Sequence, residues 1–267
     1  MLLDYVRKLE YKSDLERLQT IKSILKNKNI KFFEQEYNYF GYTGTNIIVD
    51  VGNSKSSKQI IFSAHFDVVP NSPGANDDAS GIAILINVIN RLRKLKIKVK
   101  IIFFDDEEVG RFGSISYIKK YGLKDLLAVY HLELCGYGDA IGLWPITKIN
   151  EDCYALKIIE EVLNEKNIYY EKLGKLPAFW GDDLSFRNAG FKNALCISVA
   201  PKDDKEAIKK FVKSNIFKVI ICYYANKIPK MFQLYHSPED KSEYLNEKAL
   251  KRVSNILAGV VLKFNTL

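Results

Sequence analysis

Short apolar runs that alternate with segments of helical periodicity constrain the fold of this chain more than any other feature. Residues 59–66, 99–104, 126–134 and 194–199 are mostly aliphatic or aromatic. Runs of this length without regular polar alternation are typical of strands buried on both faces of a sheet. Helical patterns separate the runs, so the sequence predicts an α/β fold with a mixed, mostly parallel central sheet.

Further patterns complete the predicted fold. Apolar residues recur at helical spacing over residues 4–25, which predicts one amphipathic helix. The alternating segment 31–39 and the run 45–51 predict two strands that form an antiparallel edge. Other helices are predicted at residues 81–95, 113–121, 152–167, 204–226 and 245–264. No repeat or linker divides the 267 residues, so a single catalytic domain over residues 1–267 is expected.

Composition narrows the classes of function. The net charge is +8, but the lysines are spread along helical faces, so we expect no nucleic-acid partner. No apolar window reaches membrane length, which predicts no membrane association. The N-terminus becomes charged at once and lacks an apolar signal core, which predicts a cytoplasmic protein. The four cysteines follow no metal-binding spacing and are expected to be reduced, mostly buried thiols.

Acidic side chains and an imidazole follow three of the predicted buried strands where each strand ends. His65 and Asp67 close the first run, the acidic segment 105–108 follows the second, and Glu133 ends the third. Carboxyl ends of parallel strands share one edge of a sheet, so these acids would repel each other unless a cation is present. For a single strand of this kind, a chance accumulation of acidic residues is the simpler interpretation. Three strands and the downstream His236 favour a metal site, and hence hydrolysis.

The order and spacing of these residues resemble the di-zinc aminopeptidase family, whose relatives include the glutaminyl cyclases and the glutamate carboxypeptidase catalytic domains. The resemblance covers residues 59–240 and implies a three-layer, zinc-exopeptidase-like fold. It rests on the segments His65-x-Asp67, Asn76-Asp77-x-Ala79-Ser80-Gly81, Glu107-Glu108-x-Gly110, Glu133 and Tyr235-His236-Ser237-Pro238-Glu239-Asp240.

The resemblance also implies a ligand set for two divalent metal ions. Zinc is the first expectation, and cobalt or manganese would also suit imidazole and carboxylate ligands. His65 and Glu133 would hold one ion, His236 and Glu108 would hold the other, and Asp77 would bridge both. The bond between Asp77 and the following residue is often cis in the family, and we expect that here.

Three catalytic residues follow from the same resemblance. Glu107 would be the general base and acid that acts on a water activated by the two metals. Asp67 would accept a hydrogen bond from the second nitrogen of His65. Tyr235 would donate a hydrogen bond to the developing oxyanion. Neighbouring side chains diverge, so the adjacent pair Glu107 and Glu108 naturally gives one free base and one ligand.

Two departures from the family pattern bear on specificity. Secreted members usually have Asp where this chain has Glu133, which could shift one metal. Members often have Ser-Asp-His where this chain has Gly181-Asp182-Asp183, and either aspartate could cap a helix or hold a substrate ammonium. A hydrogen-bonded core histidine is the expected role of His131.

The leading functional hypothesis is a metal-dependent aminopeptidase that hydrolyses N-terminal residues from peptides with a free N-terminus. A glutaminyl cyclase-like acyltransferase, or another amidohydrolase or carboxypeptidase, is the alternative on the same fold. A non-catalytic binding module is a third hypothesis, and the complete ligand set disfavours it. The chain has no obvious lid, so a second copy in a homo-oligomer could shape the cleft.

Overall fold

The computed structural model describes residues 1–53, 55–92, 95–177, 179–214 and 228–266. Over these residues the chain builds helices around an eight-stranded sheet. None of the helices in the described ranges is both long and apolar enough to cross a membrane. The predicted α/β fold with a mixed, mostly parallel sheet is confirmed.

The strands lie in the order β1-β2-β4-β3-β5-β8-β6-β7 across the sheet. Their bounds are β1 Phe33–Tyr39, β2 Tyr42–Gly52, β3 Gln59–His65, β4 Lys98–Phe104, β5 Leu126–Leu132, β6 Ala140–Trp144, β7 Tyr170–Lys172 and β8 Ala194–Ala200. Strands β4, β3, β5 and β8 are parallel neighbours, whereas β1 and β2 add the antiparallel edge that the sequence predicts. Strand β6 is antiparallel to β8 and parallel to β7.

Helices cover both faces of this sheet. Their bounds are α1 Leu3–Leu9, α2 Asp14–Asn27, α3 Ser80–Arg91, α4 Phe112–Tyr121, α5 Tyr154–Glu165, α6 Asp183–Asn188, α7 Lys205–Val212, α8 Lys230–Leu234 and α9 Glu247–Asn265. One apolar cluster joins α1, α2, α3, α5 and α9 to one face of the sheet, and a second joins α4 and α6 to the other. Successive residues of β3 show this division, because Ile60 and Phe62 belong to the first cluster and Ile61 to the second.

The single helix predicted over residues 4–25 is wrong, because the chain breaks there into α1 and α2. Tyr11 adopts a left-handed backbone with φ of 60°, which ends the first helix. Ser13 then starts the second in a capping box, in which its backbone N–H donates to the Glu16 carboxylate at 3.0 Å. The capping residues therefore set the position of the break. The apolar pattern does not mark it, because that pattern continues across the break.

Other differences are confined to short or edge elements. The sequence patterns do not predict β6 and β7, which are short strands beyond the four buried runs. Helix α7 covers the start of the helix predicted at residues 204–226, and residues 215–226 of that prediction lie outside the described residues. Among the cysteines in the described ranges, Cys135, Cys153 and Cys196 are free and buried, and Cys222 lies outside those ranges.

The topology brings the three predicted acidic strand ends together. Strands β4, β3 and β5 are adjacent and parallel, so their carboxyl ends open at one edge of the sheet. His65 is the last residue of β3, and Glu133 directly follows β5. The turn after β4 carries the acidic segment 105–108. The site is therefore built on the rigid centre of the sheet.

Candidate metal centre

The carboxylate of Asp77 lies between two imidazole rings. Its Oδ1 is 3.0 Å from Nε2 of His65, and its Oδ2 is 3.3 Å from Nε2 of His236. Asp77 and His65 are buried, whereas the ring of His236 is partly exposed. One carboxylate thus presents an oxygen to each histidine, which is the arrangement a bridging ligand requires.

Two further carboxylates complete separate groups around these histidines. Oε2 of Glu133 is 3.9 Å from Nε2 of His65, and Oε2 of Glu108 is 2.9 Å from Nε2 of His236. In each group, the nitrogen of the histidine and the oxygens of its two carboxylates lie within 4.8 Å of one another. The two groups share Asp77 and coincide with the two ligand sets that the family resemblance implies.

A kinked segment places Asp77 at the centre of the site. Residues Ala75–Ala79 lead directly into α3, and the bond between Asp77 and Asp78 is cis, as expected. The carboxylate of Asp240 accepts hydrogen bonds from the backbone N–H groups of Asn76 at 2.7 Å and of Asp77 at 3.1 Å. Asp240 is buried and acts on Asp77 through the backbone. Asp240 belongs to the segment 235–240, and its residue type and position alone do not indicate this role.

Asp67 connects the two histidine groups. Its Oδ1 is 3.3 Å from Nδ1 of His65, on the side of the ring opposite Asp77, and its Oδ2 accepts the backbone N–H of Glu108 at 2.9 Å. Asp67 accepts the predicted hydrogen bond from Nδ1 of His65, but through its backbone carbonyl at 3.1 Å, and its Oδ1 has no hydrogen-bond partner in the described residues. It also fixes the backbone of the residue that faces His236.

His131 holds Glu133 rather than simply filling the core. The two residues lie on the same side of the chain at the end of β5, and Nε2 of His131 is 3.3 Å from Oε2 of Glu133. Nδ1 of the same ring is 3.1 Å from Oγ of Ser63. A side chain at Gly181 would place its Cβ 2.6 Å from this ring, so the glycine lets the chain pass close to it. The expectation of a hydrogen-bonded buried histidine is confirmed, and its partner is a predicted metal ligand.

Asp182 and Asp183 are both fully buried next to this part of the site. Asp182 is the N-cap residue of α6, although its side chain makes no capping hydrogen bond, whereas the helix-cap interpretation is wrong for Asp183, which lies inside the helix. The Asp183 carboxylate accepts from Nε of Arg187 at 2.9 Å and from the Cys196 thiol at 3.1 Å. Asp183 is thereby occupied in holding α6 against β8.

Glu107 lies beside the ligands with its carboxylate free for chemistry. It is 8% exposed, and it can approach His65 and Glu108 closely enough to share a cation with them. Within the described ranges its carboxylate makes no hydrogen bond, whereas the Glu108 carboxylate contacts His236. The two carboxylates thus make different contacts. An oxygen of each nevertheless lies within 4.8 Å of the other and of a nitrogen of His65, so the predicted divergence of the two side chains is wrong.

Burial and mutual repulsion shift the pKa values of these acids. Burial raises the pKa of Glu107 and of Glu133 well above the usual range, and it raises the pKa of Glu108 to about 7. Burial also acts to raise the pKa of Asp77, but hydrogen bonds from His236 and His65 outweigh it and lower that pKa. Four carboxyl groups therefore lie beside only two imidazoles. Bound cations would balance the charge of these acidic groups.

The donor set fits divalent metal ions. Imidazole nitrogens and carboxylate oxygens are the ligands that zinc accepts in catalytic sites. Each group offers one imidazole and two carboxylates, and Asp77 belongs to both groups. The remaining ring nitrogen of His65 faces Asp67, which is the outer contact that usually orients a ligating histidine.

Aromatic side chains form the wall next to His236. The ring of Tyr235 stacks on His236 with 3.6 Å between centroids, and Phe179 packs against Tyr235 at 4.7 Å and against Phe232 at 4.3 Å. Trp180, next to Phe179 in the chain, is 59% exposed and does not belong to the core. Burial raises the pKa of Tyr235 well above its usual value, and the nearby carboxylates add to this shift. Its phenol therefore stays protonated and able to donate.

Relatives of known sequence cover parts of this chain. A vacuolar membrane protease of Candida tropicalis is 31% identical over 161 residues, which are 54% of this chain and 18% of that protein. Aminopeptidase YwaD of Bacillus subtilis is 23% identical over 216 residues, which are 78% of this chain and 42% of that protein. The chain thus spans less than half the length of either relative.

Among solved structures, the chain resembles the glutaminyl cyclase of Porphyromonas gingivalis with a TM-score of 0.75. The two share 14% identity over 98% of this chain and 97% of that chain. Similarity at this identity shows a common fold and leaves the reaction open.

The chain carries a cluster of histidines and carboxylates at the carboxyl edge of its α/β sheet, a set of donors that suits divalent metal ions. Its sequence matches the description "Peptidase family M28" over residues 46–261. This span includes the histidines, the acidic ligands and Glu107. The chain therefore belongs to peptidase family M28.

Proposed function

We propose that this protein is an aminopeptidase that binds two divalent metal ions, with zinc as the favoured metal. The observation that carries the proposal is the position of Asp77, whose two carboxylate oxygens face different histidines. Glu133 and Glu108 supply one further ligand to each histidine group. Glu107 remains beside them as a carboxylate without a hydrogen-bonded partner in the described residues.

The side chains divide the work of peptide hydrolysis. Metal ions held by these side chains would lower the pKa of water and polarise the carbonyl of the scissile peptide. Glu107 accepts a proton from the attacking water and delivers it to the leaving amine. Tyr235 donates its phenolic hydrogen to the carbonyl oxygen as negative charge develops there. Asp67 and His131 keep His65 and Glu133 aimed at the centre.

Two observations support cleavage at a free N-terminus. One relative, from Bacillus subtilis, is named an aminopeptidase. The aromatic wall of Phe179 and Tyr235 offers an apolar surface to the first side chain of the peptide.

The test is a panel of aminoacyl amides and short peptides, assayed with and without a chelator. We expect turnover of free peptides, loss of turnover after chelation, and recovery on adding zinc. Matched peptides with an acetylated N-terminus should be cleaved at least about 100-fold more slowly, since each 1.4 kcal/mol of lost interaction is a tenfold effect. Equal cleavage of acetylated and free peptides would rule out the aminopeptidase.

A glutaminyl cyclase is the second candidate, and the fold match over nearly the whole of both chains favours it. Such an enzyme would close the N-terminal glutamine of a peptide and release ammonia, whereas the aminopeptidase releases a free amino acid. Mass spectrometry of a peptide that begins with glutamine separates these products. Metal analysis of active protein adds a second criterion, since we expect two ions per chain.

Replacing Tyr235 by phenylalanine should lower kcat about 10²-fold and leave KM nearly unchanged. The substitution removes the phenolic donor but keeps the ring that stacks on His236. Steady-state kinetics on an aminoacyl amide would measure both constants. The matched control is Tyr121→Phe, which removes a hydroxyl from a partly exposed ring on α4. A Tyr235 variant with the control's kcat would exclude the oxyanion role.

A further inference from the structure

Arg17 is a fully buried arginine whose side chain reaches the segment between the two metal-ligand positions. It lies on α2, and its relative exposure is 0%. Nη2 donates to the backbone carbonyls of Pro73 and Gly74, each at 2.9 Å, and Nη1 donates to the carbonyl of Phe66 at 3.4 Å. The guanidinium therefore ties together both ends of the loop over residues 66–74.

The contacts of Arg17 are those of a geometric clamp rather than of an ion pair. Nε donates to the carbonyl of Lys12 at 3.3 Å, so every hydrogen bond of the guanidinium goes to a backbone oxygen. In the described residues, no carboxylate lies within ion-pair distance of it. Burying a charge is unfavourable unless its donors are satisfied, and here only the planar fork of an arginine reaches carbonyls on both sides.

The loop is built to receive this side chain. Gly74 has φ of 64°, and a Cβ at this position would lie 2.1 Å from Nη2 of Arg17. Another residue of α2 holds the same loop, since the carboxylate of Asp14 accepts the backbone N–H of Val68 at 2.9 Å. Helix α2 thus fixes the loop at its beginning and its end.

This loop connects residues that must converge for metal binding. His65 and Asp67 lie at its start, and Asp77 lies just beyond its end. Nε2 of His65 and Oδ1 of Asp77 meet at 3.0 Å only if the intervening segment returns the chain to the end of β3. Asp240 fixes Asn76 and Asp77 from the other side. Arg17 supplies the corresponding constraint on residues 66–74.

The family match begins at residue 46, so α2 and Arg17 lie outside it. We propose that Arg17 is a positioning residue, which sets the metal affinity of the Asp77 site by clamping the loop that joins His65 to Asp77. The inference rests on the metal site of the proposed function. It concerns how that site is held together and is independent of the reaction that follows.

The experiment compares Arg17→Lys and Arg17→Met with the unaltered protein in metal binding. Lysine keeps the charge but loses the fork, and methionine loses both while keeping an unbranched stem of similar width. Apparent dissociation constants for Zn²⁺ are measured by competition with a chromophoric chelator, at a temperature where circular dichroism shows the folded state. Substitution with Co²⁺ reports the ligand geometry through its visible absorption. The control is Ile21→Ala, a buried residue of the same helix that tests general destabilisation.

We expect both Arg17 variants to bind Zn²⁺ at least tenfold more weakly, in the range typical of residues that orient ligands. Their Co²⁺ spectra should change, whereas Ile21→Ala should stay within twofold of the unaltered protein. Unchanged Zn²⁺ affinity in folded Arg17→Lys would overturn the clamp. Tighter Zn²⁺ binding by Arg17→Met would also overturn it, because it would show that Arg17 acts only through its charge. Because no substrate is used, loss of the aminopeptidase proposal would leave this result intact.

Discussion

Glu107→Gln should lower kcat by about 10³-fold or more while the folded protein still binds its metal ions. General acid–base catalysis contributes about 10²–10⁴-fold, and a carboxamide can neither accept nor return the proton. The side chain makes no hydrogen bond in the described residues, so its replacement by an isosteric amide breaks none there. Kinetics on an aminoacyl amide, combined with metal analysis of the same sample, measures both parts of this expectation.

The matched control for this change is Glu243→Gln, an exposed glutamate in the turn before α9. It undergoes the same substitution without a hydrogen bond or ion pair to any of the ligands in the described residues, and should keep kcat within twofold. Near-normal turnover by the Glu107 variant would exclude the proposed base. Loss of metal from that variant would instead identify Glu107 as a ligand, which its proximity to His65 and Glu108 allows.

Much of the site was readable from sequence because its residues sit at strand ends. A parallel α/β sheet brings such ends together, so His65, Asp67, the acidic pair Glu107 and Glu108, and Glu133 were predicted to converge. The structure brings them together at the carboxyl edge of β3, β4 and β5. His236 lies far along the chain, and only its place in a motif indicated that it belongs there.

Residues that act through the backbone were not predictable in this way. Asp240 holds Asn76 and Asp77 by their N–H groups, and Arg17 binds only carbonyls. These hydrogen bonds go to backbone groups and do not depend on the side chains of the partner residues. No pairing of residue types in the sequence therefore indicates them. Two short strands were missed for a related reason, since five or three residues carry too little periodicity.

The break between α1 and α2 has a signal in the sequence itself. Ser13 and Glu16 have the spacing of a capping box, which marks the start of a helix. This signal divides the helix that apolar periodicity predicts over residues 4–25, because it places a helix start at Ser13. The correct division matters for function, because it places Arg17 in the first turn and a half of α2, where its side chain can reach the metal-binding loop.

Asp77→Asn should abolish the binding of two metal ions at once, because Asp77 is the residue that both groups share. The amide keeps the shape of the side chain but removes the negative charge, and its NH₂ would face one of the two histidine nitrogens. We expect fewer than two ions per chain at equimolar metal and a loss in kcat/KM of about 10³-fold or more, since a two-metal clamp acts only when both ions are present. Mass spectrometric metal analysis and steady-state kinetics measure the two effects.

The neighbouring Asp78 offers a stringent control, because the same substitution there changes a buried carboxyl group of the same segment. Burial raises the pKa of Asp78 well above its usual value, and its carboxyl group belongs to neither of the two ligand groups that share Asp77. Asparagine can also keep the hydrogen bond from the N–H of Gly81 to Oδ1 at 3.1 Å. Asp78→Asn should therefore retain two metals, and an Asp77 variant that matches it in metal content would show that Asp77 does not bridge the ions.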